Sequence, residues 1–181
     1  MIKSDITIDA KGLACPMPIV KTKKIMKEVN PGSVIEVQAT DKGSTADLKA
    51  WSESTGHDYL GTVEEGDILK HYLRKMSEQE TEEKKHPYTI QNEELKSLLE
   101  KDHNTLVIDV REKAEYAFTH VPGALSIPLG ELEDRMHEVE KDKDIYVICR
   151  TGNRSDIACQ KLTHAGFEQV INVIPGMNQW K

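Results

Sequence analysis

The chain has 181 residues, 38% of them hydrophobic and 30% charged, with a net charge of −7 and three cysteines. That acidic balance argues against an unaided nucleic-acid binder. The first twenty residues lack the apolar core of a secretory signal, and no run approaches the ~18 apolar residues of a membrane span. An odd cysteine count without such a signal fits a reducing compartment, so free thiols and a cytoplasmic location are expected.

From the N-terminus, "DITID" reads as a strand. "PMPIVKTKKIMKEV" follows as a helix, with Ile19, Val20, Met26 and Val29 near helical spacing among Lys21, Lys23, Lys24 and Lys27. This is the pattern of an amphipathic helix laid on a sheet. Strand "SVIEVQA", helix "TADLKAWSEST" and strands "HDYLGTV" and "DILKHYLRK" complete a β-α-β-α-β-β order, which predicts a two-layer sandwich over residues 1–76.

Residues 77–87, "SEQETEEKKHP", contain no Val, Ile, Leu, Phe or Trp, and four of the eleven are Glu. A stretch with so little apolar surface cannot repay its ordering entropy and reads as a charged linker. The alternative is a solvated helix continuing from "ILKHYLRK". The segment divides a charge-balanced first part (11 basic and 11 acidic residues) from a second part, 88–181, with 11 basic against 16 acidic.

The second part alternates regularly. Strand "YTI", helix "NEELKSLLE", strand "TLVIDV" and helix "EKAEYAF" lead through "VPGALSIPLG" to a helical "ELEDRMHEV". Strand "DIYVIC", helix "RSDIACQKLTHAG" and strand "QVINVI" close the series. Near-continuous apolar strands separated by helices predict a parallel α/β sheet covered on both faces, and such sheets bind ligands at the strands' carboxyl ends. Cys149 stands at one of those ends.

It opens the loop "CRTGNRS". Gly152 and Asn153 are residue types that tolerate the left-handed backbone of a sharp turn, and a curled loop before a helix points amides inward as an anion nest. Arg150 and Arg154 add positive charge. A thiol in that setting is expected to ionise and to hold a charged adduct. The spacing is Cys-x4-Arg, one residue shorter than the Cys-x5-Arg loop of tyrosine phosphatases, and the tighter cradle suits one sulfur atom better than a tetrahedral oxyanion. That count disfavours a phosphatase or arsenate reductase.

With "LVIDVREKAEY", "HVPGALSIPL", "CRTGNRS" and "VIPGMNQW", the second part resembles a rhodanese, a sulfurtransferase domain, over nearly all of residues 88–181. The resemblance implies that Cys149 takes a sulfane sulfur from thiosulfate or a low-molecular-weight persulfide, within a cradle formed by Arg150, Thr151, Gly152, Asn153 and Arg154. It makes Asp109 and Arg111 the bracing acid and arginine. Thr119 stands before His120 where the family usually has Gly.

In "LACPMPIV", Cys15 precedes Pro16, a residue favoured at the first helical position, so the thiol is expected at or near a helix N-cap where the dipole favours its anion. "IDAKGLACPMPIV" and the β-α-β-α-β-β order resemble the TusA (SirA-like) family of small sulfur carriers over roughly residues 4–75. The resemblance makes Cys15 the persulfide carrier, with Asp9, Pro16 and Pro18 in its motif, and implies a sulfur-acceptor protein as partner. The whole chain resembles a TusA–rhodanese fusion. Two such cysteines suggest a relay between them, in either direction, within one chain or across a homodimer. A low-turnover carrier acting between partner proteins is the alternative. No cofactor beyond the covalent persulfide and no membrane or direct nucleic-acid partner is expected. With no paired His or Cys ligand spacing, neither is a metal. Cys159, beside Ile157, Ala158 and Leu162, reads as a small core residue, and Trp51 and Trp180 as packing residues.

Overall fold

A computed structural model describes residues 1–181. The chain divides into two compact units, Met1–Glu78 and Gln79–Lys181. No helix is long and apolar enough to cross a membrane.

The first unit runs β1 (Ile6–Ala10), α1 (Met17–Glu28), β2 (Val34–Ala39), α2 (Ser44–Thr55), β3 (Asp58–Glu65) and β4 (Ile68–Arg74). Its sheet has the order β1-β2-β4-β3, with β1 and β2 parallel and the other pairs antiparallel. Strand side chains alternate between faces. Ile8, Ala10, Ile35, Val37 and Leu73 therefore share one face, and Met26 of α1 and Leu48 of α2 close over them. The expected sandwich is present.

The second unit runs β5 (Thr89–Gln91), α3 (Asn92–Lys101), β6 (Leu106–Asp109), α4 (Lys113–Phe118), β7 (Leu125–Ser126), α5 (Leu132–Arg135), β8 (Ile145–Ile148), α6 (Asn153–His164) and β9 (Val170–Ile174). All pairings in the sheet, ordered β5-β9-β8-β6-β7, are parallel. Successive residues of β8 serve opposite faces. Ile145 and Val147 pack with Leu162 and Phe167, whereas Tyr146 and Ile148 pack with Leu95 and Val173. That double burial explains why these strands read as unbroken apolar runs.

Two expectations change. The helix read over "ELEDRMHEV" is instead α5 flanked by single 3-10 turns, Leu129–Glu131 and Met136–Glu138. Leu129, Leu132, Met136 and Val139 all reach the core. Arg135 meanwhile holds Glu131, Glu138 and the Ser126 carbonyl, so the chain bends to follow these anchors. The expected linker is also not a solvated tether. The carboxylate of Asp156, in the first turn of α6, accepts the amides of Lys85 (3.0 Å) and His86 (2.9 Å). His86 Nε2 donates to the Val170 carbonyl at 2.7 Å, and Glu80 and His86 are buried. Composition shows how much apolar surface a segment owns. It does not show that a buried carboxylate elsewhere needs that segment's amides.

Candidate functional site

Cys149 directly follows β8, a central strand, and is fully buried. The chain turns at once: Gly152 takes φ +87°, and α6 begins at Asn153. Asn153 is the first helical residue, so Gly152 alone supplies the left-handed turn expected of the pair. The turn aims the Gly152 amide at Cys149 Sγ, 3.1 Å away. Ser155 Oγ lies 3.2 Å from the same sulfur and gives its one proton to Asn172 Oδ1 at 2.6 Å. Asn172, buried on β9, sends its Nδ2 back to the Gly152 carbonyl at 3.1 Å. The carbonyls of Cys149 and Arg150 are held outward by the amides of Met177 (2.8 Å) and Asn178 (2.9 Å), leaving the loop's concave side to donors.

Ser155 and Asn172 escaped the sequence reading. Ser155 stood inside the quoted loop, six residues after Cys149. Asn172 carried a usable signal, an amide in the middle of "VINVI", since a buried strand polar group needs a partner.

The loop's charges differ from expectation. Arg154 does not offer a free positive charge to a donor. It is buried and paired with Glu115 through Nη1–Oε2 (2.6 Å) and Nη2–Oε1 (2.8 Å), with Glu80 3.9 Å from its Nε. A guanidinium at this depth is tolerated only with such a partner. Asp109 and Arg111 form a similar buried pair: Nε donates to both carboxylate oxygens, at 3.0 and 3.1 Å, and Nη2 to Oδ2 at 2.7 Å. Arg111 Nη2 also reaches the Thr119 carbonyl at 2.7 Å, so the pair ties the turn after β6 to the C-terminal end of α4. Arg150 is half-buried and Thr151 exposed. Cys159 lies in the core beneath the loop, where burial pushes its thiol well up, in keeping with a packing role.

Cys15 is exposed, just before α1, with Pro16 as N-cap, Met17 first in the helix and Pro18 second. The expected thiolate at a helix N-cap is not what this geometry favours. Two prolines remove two amides from the first turn, and the Met17 amide is already given to the Ala14 carbonyl at 3.0 Å. The thiol instead meets carboxylates. The Asp47 carboxylate above all, with the charge of Asp41 nearby, raises it above the ordinary thiol range. Asp9 serves the turn after β1, its Oδ1 accepting the Lys11 amide at 3.0 Å, while Lys21 Nζ ties α1 to the Asp9 carbonyl at 2.9 Å.

Behind Asp41 lies a buried network. Ser44 Oγ donates to the Asp41 carbonyl (2.5 Å) and sits 2.9 Å from His71 Nε2, while Tyr59 and Thr62 hydroxyls reach His71 Nδ1 at 2.9 and 3.0 Å. Burial lowers His71 to about 4. The unfolded chain takes up a proton near pH 6.5 that the folded unit refuses until about pH 4, so stability present above pH 6.5 is lost as pH falls across that window. Urea denaturation of the first unit, followed by Trp51 fluorescence, is expected to lose on the order of 2 kcal/mol between pH 7 and pH 4.5. His71→Gln should flatten that slope.

The family description "Sulfurtransferase TusA" matches residues 6–75, and "Rhodanese-like domain" matches residues 91–181. Over 180 residues the chain is 52% identical to a Bacillus subtilis (strain 168) protein named "Putative sulfur carrier protein YrkF", covering 99% of this chain and 97% of that one. A protein of Allochromatium vinosum named "Sulfurtransferase" is 36% identical over 91 residues, 50% of this chain and 85% of that one. The crystal structure of a rhodanese-like domain protein from Staphylococcus aureus superposes with TM-score 0.50 at 30% identity, covering 52% of this chain and 91% of that one. With an exposed cysteine before α1 and a second cysteine cradled after β8, this chain belongs to the sulfur carrier and sulfurtransferase family in which a TusA domain is followed by a rhodanese-like domain.

Proposed function

We propose that the chain transfers sulfane sulfur through two cysteine persulfides, with Cys149 loaded from thiosulfate or a small persulfide and Cys15 passing the sulfur to an acceptor protein. In the first step the Cys149 thiolate attacks the outer sulfur of thiosulfate. A new S–S bond forms, the bond to the sulfonate breaks, and sulfite leaves with the electron pair. In the second, the Cys15 thiolate attacks the outer sulfur of the Cys149 persulfide and Cys149 departs as thiolate. The observation that carries this reading is the Gly152 amide donating to Cys149 Sγ at a strand's carboxyl end, beside the Ser155 hydroxyl. A backbone amide aimed at the sulfur is a donor that a terminal sulfur anion uses. A Cys15 thiol raised by the neighbouring carboxylates is less ionised at neutral pH, so the second step is expected to be the slower there.

The experiment is loading with thiosulfate labelled in its outer sulfur, followed by intact and peptide mass. Label is expected first on Cys149 and then on Cys15, none on either in Cys149→Ser, and only on Cys149 in Cys15→Ser. Label that reaches Cys149 and never Cys15 refutes the relay. A second reading, a slow carrier between proteins, is favoured by the exposure of Cys15. Protein-bound sulfane sulfur with negligible thiosulfate–cyanide turnover would support it.

A further inference from the structure

The segment preceding the rhodanese-like domain is built onto the Cys149 loop. Its amides at Lys85 and His86 are held by Asp156 at 3.0 and 2.9 Å, and Gln160 Nε2 steadies the same carboxylate at 2.7 Å. Glu80 approaches Arg154. Between these anchors Lys84 lies across the loop. A methyl group placed on Gly152 would come within 3.1 Å of Lys84 Cε and 3.9 Å of its Nζ, with Ile174 on another side at 3.0 Å. Gly152 is the residue whose amide donates to Cys149 Sγ. Lys84 is exposed and forms no ion pair, in contrast to Arg154 and Arg111, whose charges are met by Glu115 and Asp109.

We infer that residues 80–86 form a strap completing the Cys149 site, and that Lys84 is a specificity-determining residue favouring anionic sulfur donors such as thiosulfate. The inference rests on the sulfurtransferase reading for its donor and on geometry for its residue. A solvated ammonium beside the loop attracts a dianion and leaves a neutral donor unaffected, and the attraction weakens as salt rises. Glu82, Glu83 and Lys85 line the groove beside Lys84, so the two carboxylates offset part of the local positive charge and set the size of the effect.

The test uses the full chain in two forms. In Cys149→Ser, which cannot form a persulfide there, thiosulfate is titrated against the amide resonances of Gly152 and Asn153. Lys84→Ala is expected to raise the half-saturating concentration about fivefold. Lys84→Glu should raise it further, and Lys84→Arg should change it little. With Cys149 intact, the same order is expected for the thiosulfate dependence of sulfur loading, with the saturating rate unchanged and Lys143→Glu as a charge-matched control. If Lys84→Glu titrates like the parent, or if thiosulfate does not bind the Cys149→Ser protein, the assignment is overturned. Lys84-dependent binding without sulfur ever arriving on Cys149 would sink the sulfurtransferase reading and leave the strap standing. Loading that ignores Lys84→Glu would do the reverse.

Discussion

Glu115→Ala is expected to destabilise the second unit by about 3–5 kcal/mol, because it leaves a buried guanidinium without its carboxylate. Arg154 sits in the first turn of α6, and its two short bonds to Glu115 are its main compensation, Glu80 being 3.9 Å from Nε. The same Glu115 Oε2 accepts the Glu112 amide at 2.9 Å, so one side chain closes the start of α4 and anchors the start of α6. Glu115→Gln keeps the shape and some of the hydrogen bonding, and should cost less. The double change Glu115→Leu with Arg154→Met removes both charges and should recover much of the loss, which separates uncompensated charge from lost packing. Denaturant unfolding read from Trp180, with Trp51→Phe to silence the first unit, measures all three. A loss below about 1 kcal/mol in Glu115→Ala would contradict this account of Arg154.

Gly176→Ala is expected to be nearly as damaging, for a steric reason. Gly176 has φ +94° and ψ −163°, a region open in practice only to glycine. An added Cβ would lie 2.5 Å from the Cys149 carbonyl oxygen and 3.0 Å from that of Arg150. Both are backbone atoms that cannot swing aside. Asn92 fixes Gly176 on its other side, donating to its carbonyl at 2.9 Å and accepting its amide at 3.1 Å. Relief must therefore come from the loop itself, through the Met177 and Asn178 amides that hold its first two carbonyls. The substitution should cost about 2–4 kcal/mol and slow sulfur loading of Cys149 by about tenfold or more. Loading at the parent rate would show that the C-terminal segment does not set the loop's shape.

The loop's place was legible in the sequence because a polar, glycine-containing stretch after an apolar run has few other solutions in a parallel sheet. Its partners were not. Glu115, Asn172 and Gly176 lie 34 residues before and 23 and 27 after Cys149, and their contacts depend on which strands become neighbours. The same limit explains the two misread charges. Arg154 reads as a cation for a ligand until Glu115 is placed beside it, and Cys15 as a dipole-favoured thiolate until α2 and the residues before it bring Asp47 and Asp41 near.

From its residues alone, the chain declared two α/β units, a thiol at the end of a central strand and a second thiol ahead of a proline-led helix. Such features follow from local periodicity and turn chemistry, which act over a few residues. Folding in three dimensions decided which charges were already answered, which amide faces the sulfur and where segment 80–86 lies. Those are consequences of burial, since only when distant groups leave water together does each require a named partner.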